Sequence, residues 1–144
     1  MGITRRVFVS VPADEFNSKR QNAFKWKLIE LIGKQRLFPE IFFNPKTTDG
    51  LAASISWTPD AVENVMRQCC GAVLIGLPRW RFPGRKGDTL MATEYCQYEG
   101  ALARSLGLPL LVLIHEATMK RGVFDSSFGA YITIFPDEIG RAHV

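Results

Sequence analysis

Runs of consecutive apolar residues, separated by segments with helical spacing, constrain the fold of this chain most. The clearest runs cover residues 7–11, 72–77, 110–114 and 130–135. Strands that are apolar throughout indicate a parallel sheet covered on both faces. Since helical patterns lie between the runs, the sequence predicts an α/β protein with a mostly parallel sheet and helices on both faces. A short strand at residues 41–43 brings the sheet to five strands, for which we expect a flavodoxin-like order.

Three helices are predicted between these strands. Thr58 followed by Pro59 is a helix-start signal, since threonine caps a helix and proline suits its first turn. The longest helix is expected to begin at Asp88 or Thr89, after a loop over residues 78–87. The predicted core positions share helical spacing: Phe24, Leu28 and Leu31, then Val62, Val65 and Met66, then Leu102, Ala103 and Leu106. The predicted helix ends are glycines or lie beside one: Gly33, Cys70 or Gly71, and Gly107.

Length and composition limit the class of protein. The 144 residues have the size of one domain, so a single domain over residues 1–144 is predicted. No apolar run reaches the roughly 18 residues of a membrane span. The net charge of +4 suits an anionic small ligand better than nucleic acid. Three cysteines, an odd number, indicate free thiols in a reducing cytoplasm. The tail from Asp137 leaves little chain for a last helix, which favours a fragment of a longer protein.

The predicted topology places a ligand site beyond the carboxyl ends of the strands. Residues 10–16, 44–56 and 78–88 follow strand ends there. The chain has neither a Walker loop nor the glycine spacing of a dinucleotide fold, which excludes an ordinary Rossmann dehydrogenase. Its cysteines and histidines do not form the paired spacing of metal sites, so no metal is predicted. A nucleophile pair of Cys96 and His115 stays open, with one residue on a helix and the other at a strand end.

Glu99 is the carboxylate best placed for chemistry at this edge. It follows Tyr95 by four residues, so the two side chains are neighbours on one helix face. A fixed carboxylate beside an aromatic ring suits cleavage of an N-glycosidic bond, where it stabilises positive charge on the ribose or attacks the anomeric carbon. The alternative is a solvated helix glutamate that pairs with a basic side chain. Glu94 faces elsewhere and is a reserve carboxylate.

Two short motifs resemble known families. The segment Tyr95-Cys96-Gln97-Tyr98-Glu99 resembles the Trp-Cys-x-x-Glu segment of TIR domains, and residues 6–10 resemble their first conserved box. The stretch from Glu99 to Pro109 is similar to a segment of nucleoside 2-deoxyribosyltransferases, a related flavodoxin-like family. The order of elements resembles a bacterial TIR domain along nearly the whole chain, which implies the TIR fold. In both families the glutamate at this place is catalytic, so the resemblance implies a catalytic Glu99.

The resemblance to TIR domains implies cleavage of the nicotinamide–ribose bond of NAD+, by hydrolysis or cyclisation. NAD+ is then the substrate, and no cofactor is implied. The basic, aromatic segment 79–86 suits such a ligand, because arginines bind pyrophosphate and Trp80 stacks on a base; its alternative is a solvated surface loop. Substrate contacts are expected from residues at the strand ends and beside Glu99: Ser10, Val11, Asp14, Trp57, Arg79, Trp80, Arg81 and Tyr95.

The same resemblance implies partners and a role. The implied role is bacterial antiviral defence. The implied activation is by self-association through the BB-loop region from Asn44 to Ile55, with a sensor on a separate or missing domain. A membrane partner is not expected. Two rival functions stay open. One is a nucleoside 2-deoxyribosyltransferase or nucleotide N-glycosidase with Glu99 as covalent nucleophile, and the other is a non-catalytic module that assembles with other TIR domains.

Overall fold

Five parallel strands form the main sheet of the computed structural model, which describes residues 5–136. The elements have these bounds: β1 Arg5–Ser10, α1 Lys19–Lys34, β2 Leu37–Glu40, α2 Pro59–Met66, β3 Gly71–Gly76, β4 Trp80–Phe82, β5 Thr89–Met91, α3 Glu94–Ser105, β6 Leu110–His115 and β7 Ala130–Ile134. The strand order of the main sheet is β2-β1-β3-β6-β7, and a separate antiparallel hairpin pairs β4 with β5. This confirms the predicted flavodoxin-like sheet.

Apolar side chains fill the space on both faces of the sheet. On one face, Ile29 of α1 packs with Val9 and Ile75. On the other face, α2 and α3 cover Phe8 and Leu74. Because successive residues of a strand point to opposite faces, the continuously apolar strands serve both cores at once. Helices on both faces were predicted from this pattern, and the structure confirms them.

The second strand and the first helix differ from the sequence-based expectation. The strand β2 covers Leu37–Glu40 rather than residues 41–43, because it pairs in register with Arg5–Phe8 of β1. Its edge position accommodates Pro39, which cannot donate a ladder hydrogen bond. The helix α1 continues through Gly33, and Leu31 is exposed although it was predicted to lie in the core.

The region before α3 is also different. Residues 78–87 were predicted to be a loop, but Trp80–Phe82 and Thr89–Met91 pair as the β4–β5 hairpin. The helix α3 therefore begins at Glu94 rather than at Asp88 or Thr89. Thr93 is its N-cap, and its hydroxyl accepts a hydrogen bond from the backbone N–H of Cys96 at 3.0 Å. Thr89 instead lies in β5, where a β-branched side chain is favourable.

Three further expectations concern the limits of the chain and its elements. Thr58 caps α2 as predicted, but α2 ends at Met66 and not at Cys70 or Gly71. The helix expected over residues 137–144 lies outside the described residues. Within residues 5–136, no helix is both long and apolar enough to cross a bilayer.

Candidate active site

The side chain of Glu99 is buried between α3 and the sheet. Gly100 permits this close packing, since a Cβ at that position would lie 2.6 Å from Leu74 Cδ1 and 2.8 Å from Val123 Cγ1. As a result Glu99 is only 6% exposed. Among the described residues, no basic side chain forms an ion pair with it. The alternative of a solvated, ion-paired helix glutamate is therefore wrong.

Two neutral donors hold the Glu99 carboxylate. Ser10, the last residue of β1, donates its hydroxyl to Glu99 Oε1 at 2.6 Å. Trp57, which directly precedes the α2 cap, donates its indole N–H to Glu99 Oε2 at 3.0 Å. Each carboxylate oxygen has one donor, and the remaining lone pairs are available to a ligand. The orientation of the carboxylate is thus fixed by two elements of the chain that are far apart in sequence.

Burial changes the acidity of this carboxylate. It raises the pKa of Glu99 to about 7, although the hydrogen bonds from Ser10 and Trp57 partly oppose the increase. Both protonation states are therefore accessible near neutral pH. A carboxyl group with such a pKa can exchange a proton or act as a nucleophile under ordinary conditions, and perturbed groups of this kind concentrate at functional sites.

Cys96 lies beside this pair but lacks the properties of a nucleophile. Its Sγ is 3.2 Å from Ser10 Oγ. Burial, followed by the charge of Glu99, raises the pKa of the Cys96 thiol to about 11, so the reactive thiolate is not formed at neutral pH. This argues against the Cys96–His115 pair that the sequence left open. The thiol instead packs under Glu99 in the core.

An aromatic cluster covers the outer side of the Glu99 carboxylate. The Trp57 ring contacts Tyr95 edge-on, with centroids 4.9 Å apart, and contacts Tyr98 at 5.6 Å. Both tyrosines are about half exposed, whereas Glu99 behind them is buried. Such edge-on aromatic pairs are favourable and restrict ring rotation. The cluster therefore keeps the Trp57 indole aimed at Glu99.

A cavity of about 450 Å³ opens beside Glu99 at the carboxyl ends of β1, β2 and β3. Its volume is in the range typical of small-molecule sites. Val11 and Phe16 enter it from the segment after β1, Phe43 from the segment after β2, and Arg79 from the segment after β3. The site thus occupies the position where doubly wound sheets bind ligands.

Arg79 is held against two aromatic rings at this cavity. The centre of its guanidinium lies 3.8 Å from the Phe16 ring centroid and 4.2 Å from that of Trp80. The Trp80 indole in turn donates to Glu94 Oε2 at 2.8 Å, and this hydrogen bond is the largest cause that lowers the pKa of Glu94. Glu94, the reserve carboxylate, is exposed and lines the same cavity, so the prediction that it faces elsewhere than Glu99 is wrong.

The structure brings most of the predicted site residues together. Six of the predicted residues line the cavity: Val11, Trp57, Arg79, Trp80, Tyr95 and Glu99. Ser10 lies behind Glu99 and is buried, so it contacts the carboxylate rather than the open space.

Besides Ser10, two further predicted site residues, Asp14 and Arg81, do not line the cavity. Asp14 accepts hydrogen bonds from Lys25 at 2.8 Å and Trp26 at 3.0 Å. Although desolvation acts in the opposite direction, these bonds hold the pKa of Asp14 below its usual value. Arg81 forms an ion pair with Asp88 at 2.6 Å across the hairpin. Both side chains are therefore engaged by other residues of the chain, and their substrate contacts stay predictions.

Sequence reasoning missed three aromatic residues of the cavity, Phe16, Phe42 and Phe43. Phe43 was assigned to a strand, but it lies beyond β2 with a φ of 58° and is 63% exposed. A non-glycine residue in this left-handed region is uncommon. Its position directly before Asn44-Pro45, a turn signal, could have indicated that the strand ends earlier.

Comparison with known proteins supports the fold. No protein-family model matches the chain, and no curated relative matches it. Among solved structures, the chain is similar to the CMP N-glycosidase BcmB of Clostridium botulinum, with 12% identity and a TM-score of 0.51, over 91% of this chain and 88% of that one. A second similar structure is the glycotransferase of kitacinnamycin, with 12% identity and a TM-score of 0.46, over 96% of this chain and 32% of that one. At this level of identity, the likeness to BcmB establishes a shared α/β fold.

Proposed function

We propose that this protein cleaves the N-glycosidic bond of a nucleotide and that Glu99 acts at the anomeric carbon. The observation that carries this proposal is the buried Glu99 carboxylate, which Ser10 and Trp57 orient at the wall of a ligand-sized cavity. Departure of the base leaves positive charge on the ribose ring. A fixed, desolvated carboxylate stabilises that charge far better than water does.

The reaction balances with the groups of this site and water. The bond from C1′ of the ribose to the base nitrogen breaks, and its electron pair stays on the base. An oxygen of Glu99 either stabilises the resulting cation or forms a bond to C1′, which water then replaces. A proton of the attacking water goes to the departing base where it leaves as an anion, and to solvent where it leaves neutral, as nicotinamide does from NAD+. Because the pKa of Glu99 is about 7, the ionised form that this step needs is populated from neutral pH upward.

A nucleotide is the favoured substrate class because the CMP N-glycosidase of similar fold acts on one. NAD+, which the resemblance to TIR domains implies, is the second candidate. It is favoured by the position of Tyr95 and Glu99, which both line the cavity four residues apart on α3. Both candidates need the same bond cleavage at C1′. The role in antiviral defence and the activation by assembly through residues 44–55 stay predictions that depend on the second candidate.

A substrate panel tests this function. The purified chain is incubated with the common nucleoside 5′-monophosphates, with NAD+, and with deoxynucleosides plus an acceptor base, and released base is measured by chromatography. We expect base release from a 5′-monophosphate that is lost in Glu99→Gln. Release of nicotinamide alone favours the NAD+ candidate, and base exchange between deoxynucleosides favours the transferase. A chain that consumes none of these at high concentration contradicts the enzyme proposal.

A further inference from the structure

Arg79 is a cation at the cavity whose position is fixed by the rest of the chain. Its backbone N–H donates to the Met91 carbonyl at 2.8 Å, at the base of the β4–β5 hairpin. The hairpin is itself tied to the body, since Met119 donates its backbone N–H to the Leu90 carbonyl at 2.7 Å. The contacts with Phe16 and Trp80 then hold the guanidinium. Arg79 is therefore preorganised, which lowers the entropic cost of binding a ligand.

The guanidinium of Arg79 has no acidic partner within the part of the chain that the structure describes. None of the ion pairs there includes it, and no side-chain hydrogen bond occupies its N–H groups. Glu94 is its acidic neighbour: the hydrogen bond from Trp80 and, to a smaller extent, the charge of Arg79 lower the pKa of Glu94, but the Glu94 carboxylate bonds to the Trp80 indole and not to the guanidinium. The Phe16 and Trp80 rings contact the guanidinium, whose N–H donors lie in its own plane. A planar fork of donors with this geometry matches a phosphoryl group.

Arg81 provides an internal comparison two residues further along the chain. Its Nη1 lies 2.6 Å from Asp88 Oδ2, and its side chain does not line the cavity. Arg81 is thus ion-paired outside the cavity, whereas Arg79, half-buried at the cavity near Glu94, forms no ion pair among the described residues. The N–H groups of Arg79 are therefore available to an anionic ligand.

We propose that Arg79, held by Phe16 and Trp80, is the subsite for a phosphoryl group on C5′ of the substrate ribose. This inference rests on the proposed function and deepens it, because it makes a 5′-phosphorylated ribose the recognised unit. Glu99 acts at C1′ and is negative when ionised, so a phosphate must bind elsewhere in the cavity. Arg79, which comes from a different element, supplies that second position. Unphosphorylated nucleosides should then be poor ligands.

Binding of ribose 5-phosphate tests this subsite without a base and without turnover. Its dissociation constant is measured by ligand-observed NMR or calorimetry for the wild type, Arg79→Gln and the matched control Arg81→Gln, with ribose as the unphosphorylated ligand. We expect ribose 5-phosphate to bind more tightly than ribose. Arg79→Gln should weaken its binding by about tenfold or more, and Arg81→Gln by less than about threefold. Melting temperatures check that all three chains are folded.

Several outcomes overturn the assignment. One is that ribose 5-phosphate binds no better than ribose, and another is that Arg79→Gln leaves its affinity unchanged. If Arg79→Gln weakens the binding of ribose and of ribose 5-phosphate equally, the arginine does not recognise the phosphate, and the assignment is also overturned. CMP and NAD+, titrated into Glu99→Gln to prevent turnover, separate a monophosphate from a dinucleotide as the source of the phosphoryl group. Because every readout is a binding affinity, the test can be interpreted even if the chain cleaves no nucleotide. Failure of the phosphoryl subsite, in turn, leaves the result of the substrate panel unaffected.

Discussion

The acidity of one side chain, Glu99, connects the geometry of the site to its chemistry. Its carboxylate is desolvated by α3 and the sheet, and within residues 5–136 two neutral donors compensate in part for the burial. Ser10 and Trp57 stabilise the ionised form, because both donate a hydrogen bond to the carboxylate. At the scale of single residues, these three side chains determine at which pH the site can work.

The first prediction at this scale concerns the pH dependence of activity. If the ionised carboxylate is the reacting form, kcat/KM rises with pH through a midpoint near 7. Trp57→Phe removes a donor to the ionised form, so we expect the midpoint to move upward by about one pH unit. The pH–rate profile of each variant measures this shift.

Trp26→Phe is the matched control for that experiment. The Trp26 indole also donates to a carboxylate, that of Asp14, at 3.0 Å, but this pair does not line the cavity. The midpoint of the pH–rate profile of Trp26→Phe should stay within a few tenths of a pH unit of the wild-type midpoint. A profile that does not move in Trp57→Phe, or that moves equally in both variants, contradicts the role of Trp57.

A second prediction follows from the effect of Glu99 on stability. Its pKa is raised from 4.5 to about 7, so between these pH values the folded state retains a proton that the unfolded state has lost. The contribution of this group to stability is complete below about pH 4.5 and is lost as the pH rises through 7. The total loss is about 3 kcal/mol.

Glu99→Gln removes this titration and isolates the effect. Relative to the wild type, the free energy of unfolding of the variant should increase by about 3 kcal/mol between pH 4 and pH 8.5. Urea denaturation at both pH values measures it. If the difference in the free energy of unfolding between Glu99→Gln and the wild type does not change with pH, Glu99 is not buried as described.

At the scale of elements, the packing of α3 on the sheet places Glu99. Gly100 allows it, since its missing Cβ leaves room for Leu74 and Val123. We predict that Gly100→Ala destabilises the fold by about 1–3 kcal/mol through overpacking and displaces α3. Thermal or urea unfolding measures the loss.

A glycine in another helix is the matched control for this substitution. Gly33 lies in α1, and a Cβ added there would meet nothing within 4 Å. Gly33→Ala should therefore stabilise the protein by up to about 1 kcal/mol, because alanine favours a helix more than glycine does. Equal effects of the two alanine substitutions would contradict the packing role of Gly100.

The elements also show what the sequence can predict. Continuous apolar runs specified the central strands well, because a strand buried on both faces leaves a signal at every residue. The strand β2 and the β4–β5 hairpin were misassigned, since their exposed or half-buried residues carry no periodic pattern. The predicted place of Glu99 near the sheet edge was correct. Its contacts with Ser10 and Trp57 could not be predicted, because they join residues 89 and 42 positions away.

At the scale of the whole molecule, the fold brings three strand-end segments to one cavity. Arg79 and Glu99 line this cavity from different parts of the chain, and we propose that the first binds the phosphoryl group and the second acts on the reacting carbon. The positive net charge of +4 agrees with an anionic ligand but does not locate it. The likeness to a CMP N-glycosidase concerns this overall fold.

Separate substitution of two carboxylates of the cavity tests whether Glu99 acts on the glycosidic carbon. The single-turnover rate of base release is measured at pH 8 for the wild type, Glu99→Gln and Glu94→Gln, with the best substrate of the panel. We predict a loss of about a thousandfold or more for Glu99→Gln, and a much smaller loss for Glu94→Gln, whose carboxylate bonds to Trp80. Base release by Glu99→Gln within about tenfold of the wild-type rate would contradict the action of Glu99 on the glycosidic carbon.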